Sequence, residues 1–341
     1  MSGKRIEAKE LRCQKRQVLH DVIPLSTPYV VYVDPTNACN FKCKFCPTSD
    51  DDLLRRVGRH KRIMSLELFR KVIQDLEEFD LKLKLLSLYK DGEPLINPFF
   101  HEMVSIARQS GIAERIWTKT NGSLLSPSLN RKLVNAGLDH ICISIEAVNK
   151  QGYLDIAGVD IDYGALLDNI GDFYLNRGNC EVYIKIADVN LTDEQVAQFY
   201  SDFQPISTHI GVEKLMGWSN SGVKDFTLGT NPDTYDGLHF TDKEVCAYPF
   251  YVMAVNSDGT VSVCGNDWSQ QTIVGDVNSE SLINIWNGDM LYHFRMMMLN
   301  KKRKKNKACG DCYYLRIVPD NIDDKCELIM SNLTAAKSSL K

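Results

Sequence analysis

The sequence predicts an α/β fold, in which six strand–helix units are followed by a smaller region with its own cysteines. Short β-branched and aliphatic runs alternate with amphipathic segments of helical length over the first two thirds of the 341 residues. Six units suit an open partial barrel better than a closed eight-stranded one. The predicted strands lie near 28–33, 83–88, 116–120, 140–145, 181–187 and 209–215, and the helices near 65–79, 98–110, 127–136, 161–177 and 192–203.

The composition is that of an ordinary globular protein, with 44% hydrophobic and 25% charged residues. The formal net charge of −4 does not favour nucleic acid as a partner. No apolar run approaches the roughly 18 residues of a membrane span, and the N terminus has no signal-peptide core. We therefore expect no membrane association and a cytoplasmic location, where 11 cysteines would stay reduced.

Changes in pattern along the chain divide it into five segments. We expect an N-terminal segment over 1–27 with an amphipathic helix over 5–22, and the barrel over 28–216. Asn, Gly, Thr and Asp residues make 217–240 a linker. A cluster-binding domain over 241–330 and a tail over 331–341 complete the chain.

The most informative motif is a loop with three cysteines, Cys39, Cys43 and Cys46, at offsets of four and three. Thiolates are soft ligands that suit iron–sulfur clusters and zinc. Three thiolates leave one iron of a four-iron cluster open, whereas a structural zinc site closes with four protein ligands. Because no histidine lies in the loop or its flanks, zinc is the weaker interpretation. The loop follows a predicted strand, at the edge where barrels assemble their active sites.

Further polar segments follow the next strands in order. Taken singly, each has a structural explanation, since Gly-Glu-Pro and Asn-Gly are common turn sequences. Together with the cysteine loop and Phe45, which precedes the third cysteine, they resemble the radical S-adenosylmethionine (SAM) superfamily. The segments that carry the resemblance are Gly92-Glu93-Pro94, Thr120-Asn121-Gly122, Ser144-Ile145-Glu146 and the strand with Lys185. Glu146 stands where the family usually has Asp.

The resemblance implies a partial (β/α)6 TIM-like barrel, a SAM-binding 4Fe-4S cluster and S-adenosyl-L-methionine as cofactors. It implies that one electron from the cluster cleaves SAM to a 5′-deoxyadenosyl radical, which abstracts hydrogen from substrate, and that a flavodoxin- or ferredoxin-type donor supplies the electron. Glu93 would hold the amino group of SAM, and Lys185 would reach its carboxylate or ribose. The residues implied to contact SAM are Phe45, Gly92, Glu93, Asn121, Ser144, Glu146 and Lys185.

A second cysteine set lies near the C terminus, in Cys246, Cys264, Cys309 and Cys312. A β-hairpin with its turn at Asp258-Gly259 should place Cys264 at the end of its second strand. Four thiolates can close a second cluster, and a zinc ribbon is the alternative.

This region resembles the SPASM domain or its shorter form, Twitch, which carries auxiliary clusters in many radical SAM enzymes. The full SPASM pattern has further cysteines soon after the terminal pair, and positions 313–325 contain none. We therefore expect one auxiliary 4Fe-4S cluster, with Cys326 either a buried spare thiol or a substitute ligand.

Other residues carry weaker signals. Asp267 and Tyr248 are candidate substrate-side acid–base groups. The basic run 300–307 is most simply a solvated loop, although its nearness to Cys309 leaves open a role toward an anionic substrate or a protein partner. The seven histidines show no ligand spacing.

The resemblance favours an oxidoreductase that dehydrogenates a small polar substrate, such as a carbohydrate or nucleotide sugar, with help from the auxiliary cluster. The short segment before the first barrel strand favours a small substrate over a peptide. A peptide-modifying maturase and a redox-neutral sugar epimerase or dehydratase are the alternatives. A non-catalytic iron–sulfur protein is the least favoured hypothesis.

Overall fold

The structure is a computed structural model that describes residues 3–6, 17–219, 224, 226–229 and 242–339. Cys13, His239, most of the predicted linker and residues 7–16 of the predicted N-terminal helix lie outside the described residues.

Ten strands of the described chain form one sheet in the order β1-β7-β6-β5-β4-β3-β2-β8-β9-β10. The strands β2 to β7 are parallel neighbours in chain order, and they are the six barrel strands that the sequence predicts. Because β2 and β7 do not pair with each other among the described strands, the barrel is partial and open, as expected. The strands are β1 (Lys4–Arg5), β2 (Val30–Val33), β3 (Leu85–Ser87), β4 (Ile116–Thr120), β5 (His140–Ile145), β6 (Glu181–Asp188), β7 (His209–Lys214), β8 (Val252–Val255), β9 (Thr260–Ser262) and β10 (Ile273–Asp276).

The barrel helices begin at polar caps that the sequence supplies. The Ser65 hydroxyl accepts a hydrogen bond from the Leu68 N–H at 3.1 Å, and Thr192 and Gln195 form a capping box. Within the described barrel region, the short helices at Asp51–Arg56 and Lys150–Ala157 were not predicted. The helices are α1 (Leu19–Val22), α2 (Asp51–Arg56), α3 (Leu66–Glu77), α4 (Phe100–Ser110), α5 (Pro127–Asn135), α6 (Lys150–Ala157), α7 (Tyr163–Asn176), α8 (Asp193–Phe203), α9 (Leu282–Asn287), α10 (Asp289–Leu299), α11 (Lys307–Gly310) and α12 (Cys326–Ser339).

The register of the parallel strands brings the motifs together. Ser144 on β5 pairs with Lys185 on β6, and Lys185 pairs in turn with Gly211 on β7. Residues such as Ile141 and Ile143 are fully buried, which anchors this register because a one-residue slip would turn them to the opposite face. The predicted SAM-contacting residues on these strands therefore lie side by side.

The barrel sheet continues into the C-terminal region. β8 pairs in parallel with β2, from Val30–Val252 to Val33–Val255, and β9 and β10 follow as antiparallel strands. Gly259 lies in the predicted hairpin turn with φ +94°, a conformation that favours glycine. Cys264 does not end β9, as expected from the sequence, but lies two residues beyond it. The auxiliary region therefore shares its sheet with the barrel.

The sequence predicts an N-terminal helix over 5–22, but residue 5 lies in a strand, so the prediction is wrong at its first residue. Lys4 and Arg5 are extended and pair with His209 and Ile210 of β7, because the open barrel edge offers unpaired backbone groups. Ile6 is buried beyond them, next to Cys142 and Tyr183. A helix is present at Leu19–Val22.

The sequence predicts a tail over 331–341, whereas the structure has a helix that includes residues 331–339. The helix α12 runs through it to Ser339 because Ile329 and Leu333 are buried in a second hydrophobic cluster with residues such as Phe250 and Met298. No helix within the described parts of the chain is long and apolar enough to cross a membrane.

Candidate active site

The three-cysteine loop lies at the carboxyl end of β2 and is held from outside by α6. The backbone N–H of Lys42 donates to the Ala157 carbonyl at 2.7 Å, and that of Lys44 donates to the Ile156 carbonyl at 3.0 Å. The ring of Phe41 meets that of Tyr153 edge-on, with centroids 5.9 Å apart. These contacts leave the cysteine side chains on the inner side of the loop.

Cys39, Cys43 and Cys46 all line one cavity of about 250 Å³ in the mouth of the barrel. Burial raises the pKa of each of these thiols. No histidine lines this cavity in the described part of the chain, so its soft donors are sulfur alone. Three thiols that face one cavity, with no imidazole beside them among its described lining residues, fit an iron–sulfur cluster with one open iron.

The Gly92 loop packs directly against the start of the cysteine loop. A Cβ atom at Gly92 would lie 2.3 Å from the Thr36 carbonyl oxygen and 2.4 Å from that of Ala38. The Glu93 N–H donates to the same Ala38 carbonyl at 2.8 Å. Only glycine permits this approach, which brings the Glu93 loop onto the cysteine loop.

Glu93 is buried, and most of its hydrogen-bonding capacity is used within the chain. Its carboxylate accepts from the Leu95 N–H at 3.0 Å, the Thr120 hydroxyl at 2.7 Å and the Asn121 N–H at 2.7 Å. Burial raises the pKa of this carboxyl to about 7, against the lowering effect of those bonds. A carboxylate has about four acceptor positions, so one remains for an ammonium group. Glu93 therefore also ties the loop after β3 to the end of β4.

The other predicted SAM contacts line the same cavity. The Asn121 amide donates to the Asn40 side chain at 2.9 Å, which adds a further tie to the cysteine loop. Burial raises the pKa of Glu146 to about 7, and the charge of Lys185 acts in the opposite direction. The residues that the cavity brings together are Phe45, Gly92, Glu93, Asn121, Ser144, Glu146 and Lys185.

Glu213 is a site residue that sequence reasoning missed. Its Oε2 lies 2.5 Å from Lys185 Nζ, and its Oε1 accepts from the Tyr183 hydroxyl at 3.0 Å. The available signal was an acidic residue within the buried strand segment Ile210-Gly211-Val212-Glu213, where an unpaired charge would be unfavourable.

Aromatic side chains line the part of the cavity beyond the predicted SAM contacts, and they were also missed. The rings of Tyr32 and Tyr89 meet edge-on with centroids 5.7 Å apart, and Lys119 Nζ lies 5.1 Å from the Tyr89 centroid. Trp218 and Tyr314 also line the cavity. Strand, linker and C-terminal segments supply them, so their proximity arises only on folding.

A second, smaller cavity of about 40 Å³ gathers Cys246, Cys264, Cys309 and Cys312. Burial raises the pKa of each thiol. Within the described ranges, no three His, Cys, Asp or Glu side chains are grouped to hold a single metal ion. Four thiols that line one cavity fit a four-iron cluster, in which each thiolate binds a different iron.

The remaining candidates, Cys326, Tyr248 and Asp267, do not line the barrel cavity, although Tyr248 and Asp267 line the four-cysteine cavity. Cys326 is buried in the second hydrophobic cluster, where its thiol donates to the Ile322 carbonyl at 3.6 Å, and it does not line the four-cysteine cavity. Tyr248 lines that cavity and not the larger one. The Asp267 carboxylate accepts from Ser269, Gln271 and Thr272, with both donors of Thr272 at 2.7 Å, so it stabilises a turn. These contacts count against a catalytic role for Asp267.

Two family models match this sequence. The model of the radical SAM superfamily matches residues 33–200, and that of the SPASM iron–sulfur cluster-binding domain matches residues 246–313. The cofactors are accordingly a SAM-binding 4Fe-4S cluster, an auxiliary 4Fe-4S cluster and SAM.

Curated relatives match to different extents. A tungsten-containing aldehyde ferredoxin oxidoreductase cofactor-modifying protein of Pyrococcus furiosus is 29% identical over 35% of this chain, but the match spans only 31% of that protein. A probable GTP 3′,8-cyclase of Metallosphaera sedula is 34% identical over 37% of this chain and 36% of its own length. The chain thus spans about a third of these relatives. An S-adenosyl-L-methionine-dependent 2-deoxy-scyllo-inosamine dehydrogenase of Niallia circulans is 20% identical over 83% of this chain and 92% of its own length.

Solved structures share the fold at low sequence identity. BtrN in complex with AdoMet and 2-DOIA aligns with a TM-score of 0.54 at 18% identity, over 83% of this chain and 92% of its own. Streptococcus suis SuiB bound to precursor peptide SuiA aligns with a TM-score of 0.62 at 14% identity, over 89% of this chain and 73% of its own. Native anSMEcpe with bound AdoMet aligns with a TM-score of 0.58 at 14% identity, over 92% of this chain and 99% of its own. On the matches of the two family models to residues 33–200 and 246–313, the chain belongs to the radical SAM superfamily and carries a C-terminal SPASM domain.

Proposed function

We propose that this protein is an oxidoreductase that abstracts a hydrogen atom from a small polar substrate, in preference a carbohydrate or nucleotide sugar, and completes a dehydrogenation with the help of the auxiliary cluster. The observation that carries the proposal is that one barrel cavity is lined both by the three cysteines and by Gly265 and Asn266, which directly follow Cys264. This arrangement brings a substrate within reach of both cluster sites.

We assign the SAM-binding cluster to Cys39, Cys43 and Cys46 and the auxiliary cluster to Cys246, Cys264, Cys309 and Cys312. When bound, the first cluster and SAM supply a 5′-deoxyadenosyl radical. Glu93 offers its remaining acceptor position to the amino group of SAM. Lys185, oriented by Glu213, presents its ammonium group to the carboxylate or ribose. Phe45, Asn121, Ser144 and Glu146 complete the wall around this part of the cavity.

Two observations support a carbohydrate substrate. The dehydrogenase of Niallia circulans matches over 83% of this chain and 92% of its own length, whereas the curated relatives with higher identity match over about a third to just over half of theirs. The aromatic faces of Tyr32, Tyr89 and Trp218 can pack against the apolar faces of a sugar ring, and Lys119 beside them can bind an anionic group such as a phosphate.

The test supplies deuterated candidate sugars, nucleotide sugars and peptides to the anaerobically reconstituted protein with SAM and dithionite. We expect deuterium to appear in 5′-deoxyadenosine from a carbohydrate, with one SAM consumed for each product that is two electrons more oxidised. The Cys39→Ala variant should form no 5′-deoxyadenosine. Transfer from a peptide and from no sugar would overturn the substrate class.

A peptide-modifying maturase is the second candidate, because SuiB and anSMEcpe share the fold. A redox-neutral epimerase or dehydratase is the third, and its product would have the oxidation state of the substrate. A non-catalytic iron–sulfur protein would yield no 5′-deoxyadenosine at all, even slowly and without substrate.

We propose further that a flavodoxin- or ferredoxin-type protein donates electrons and docks on the basic run near Cys309. Lys302, Lys304 and Lys305 are exposed, although the chain as a whole has a net charge of −4. Arg303 lies within this run, lines the four-cysteine cavity and donates to the Gly310 carbonyl at 3.0 Å. An acidic redox protein would be attracted to such a surface.

A further inference from the structure

Four charged side chains are buried between the barrel and the loop that follows Cys264. Asp34 follows β2, Arg59 lies between α2 and α3, and Lys90 and Asp91 directly precede Gly92. The side chains of Arg59, Lys90 and Asp91 are 1%, 0% and 0% exposed. Charges removed from water are unfavourable unless they are paired, so this set needs an explanation.

Asp91 is the shared anion of the set. Its Oδ2 accepts from Lys90 Nζ at 2.6 Å and lies 2.9 Å from Arg59 Nη2. Its backbone N–H lies 3.4 Å from Asp34 Oδ1. Both cations therefore pair with the residue next to Gly92, at the start of the loop that packs on the cysteines.

The same two cations reach across to the SPASM region. Lys90 Nζ donates to the Asp267 carbonyl at 3.0 Å, and Arg59 Nη1 donates to the carbonyl of the following residue, Trp268. Trp268 is fully buried, and its indole N–H donates to the Ser219 carbonyl at 2.7 Å. Two buried cations thus hold consecutive carbonyls of the segment that begins at Cys264.

Stability alone does not explain this network of four buried charged side chains. Asp34 Oδ2, Asp91 Oδ1 and Arg59 Nε are buried without a hydrogen-bond partner. A partly satisfied buried network is less favourable than well-packed apolar side chains of similar volume. Its most direct benefit is geometric, because charge-assisted bonds to fixed carbonyls define position and direction where apolar contacts do not.

We propose that Lys90 and Arg59 are positioning residues that couple the two cluster sites. Through Asp91 they fix the Gly92-Glu93 loop relative to residues 264–268. The cysteine loop, which packs on the Gly92-Glu93 loop, and residues 264–268 therefore keep the same relative position on either side of the cavity. This coupling deepens the proposed function and rests on it in one respect, namely that SAM binds in this cavity. Binding of SAM against the Gly92 loop then stabilises the segment after Cys264.

The test is hydrogen–deuterium exchange on the reconstituted full chain, with and without SAM. In the unsubstituted protein, SAM should slow exchange over 264–272 by about tenfold. The Lys90→Met variant should lose most of this protection, and Lys90→Arg should restore part of it. Lys84→Met is the matched control, because Lys84 pairs with Glu114 on the surface and should leave the protection unchanged. Equal protection in Lys90→Met and the unsubstituted protein would overturn the proposal.

A second measurement needs neither SAM nor substrate, so it separates this proposal from the proposed function. In a background with Cys39, Cys43 and Cys46 replaced by Ala, only the auxiliary cluster remains. Lys90→Met and Arg59→Lys should each change its electron paramagnetic resonance g values and midpoint potential, and Lys84→Met should not. An unchanged auxiliary signal in both variants would refute the coupling, whatever substrate is identified.

Discussion

Lys185 Nζ on β6 lies 2.5 Å from Glu213 Oε2 on β7, and both side chains line the barrel cavity. The pair is mostly shielded from water, with side-chain exposures of 16% and 7%. Glu213 also accepts from the Tyr183 hydroxyl, which fixes the carboxylate from the other side. The ammonium group of Lys185 is therefore held in one direction before any ligand binds.

Replacing Glu213 by Gln should weaken SAM binding by about tenfold, which corresponds to about 1.4 kcal/mol, because Lys185 loses its charged partner and its fixed direction. Equilibrium dialysis with the reconstituted protein measures the affinity. Glu114→Gln removes the surface partner of Lys84 and is the control. If Lys185→Met and Glu213→Gln both leave the affinity unchanged, the role given to the pair is wrong.

Replacing Gly92 by Ala should displace the cysteine loop, since the new Cβ would lie within 2.4 Å of two backbone oxygens. We expect loss of about half of the bound iron, because one of the two clusters would no longer form. Iron analysis and the melting temperature report the effect. Gly171→Ala is the matched control, since its Cβ would meet only Ile206 at 3.7 Å and should stabilise helix α7 by about 0.5–1 kcal/mol.

Two cysteine substitutions distinguish the proposed ligands of the auxiliary cluster from Cys326, a buried thiol that we do not expect to bind iron. In the background without Cys39, Cys43 and Cys46, we expect about four irons per chain. Adding Cys326→Ala should leave this number unchanged, whereas Cys312→Ala should lower it sharply. Loss of iron in the Cys326→Ala variant would make Cys326 a ligand, and zinc in place of iron would support a zinc ribbon.

Replacing Asp91 by Asn should destabilise the protein by about 3–5 kcal/mol, because two buried cations would lose their shared anion. Chemical denaturation of the cluster-free protein measures the free energy of unfolding. Asp52→Asn, which removes the exposed partner of Arg55, should change it by less than about 1 kcal/mol. A similar small effect for Asp91→Asn would show that the buried network contributes little.

Charge reversal at Lys304 and Lys305 should slow reduction of the clusters by a flavodoxin and reduce the dependence of that rate on salt. Stopped-flow absorbance measures the rate at several ionic strengths. The control reverses Arg131 and Lys132 on helix α5, which are equally exposed and carry the same total charge. Equal slowing by both variants would indicate a general effect of net charge and not a docking surface.

Several sequence predictions depended on local signals. The six barrel strands and their helices follow from the hydrophobic period, and the structure shows polar caps at Ser65 and Thr192, where two of these helices begin. The cysteine loop, Gly92-Glu93 and Asn121 were found because they stand in fixed order at strand ends. The structure places them on one cavity, since parallel strands bring their carboxyl ends to one edge.

Other features depend on contacts between residues far apart in the chain. Lys4 and Arg5 form a strand because β7 leaves an unpaired edge, and residues 331–339 are helical because Ile329 and Leu333 pack into a distant core. No local pattern contains either partner, so periodicity alone predicted a helix and a tail.

The cluster chemistry of this protein can be inferred from its amino-acid order, because ligand type and spacing along one short loop decide which cluster can bind. The side chains that surround the cluster sites depend on contacts between distant segments. Glu213 orients Lys185, and Lys90 and Arg59 reach the carbonyls of Asp267 and Trp268 across more than 170 positions of chain. Such contacts form only when distant segments pack together. A buried charge must be paired or hydrogen-bonded, and the fold determines which groups lie near enough to do this.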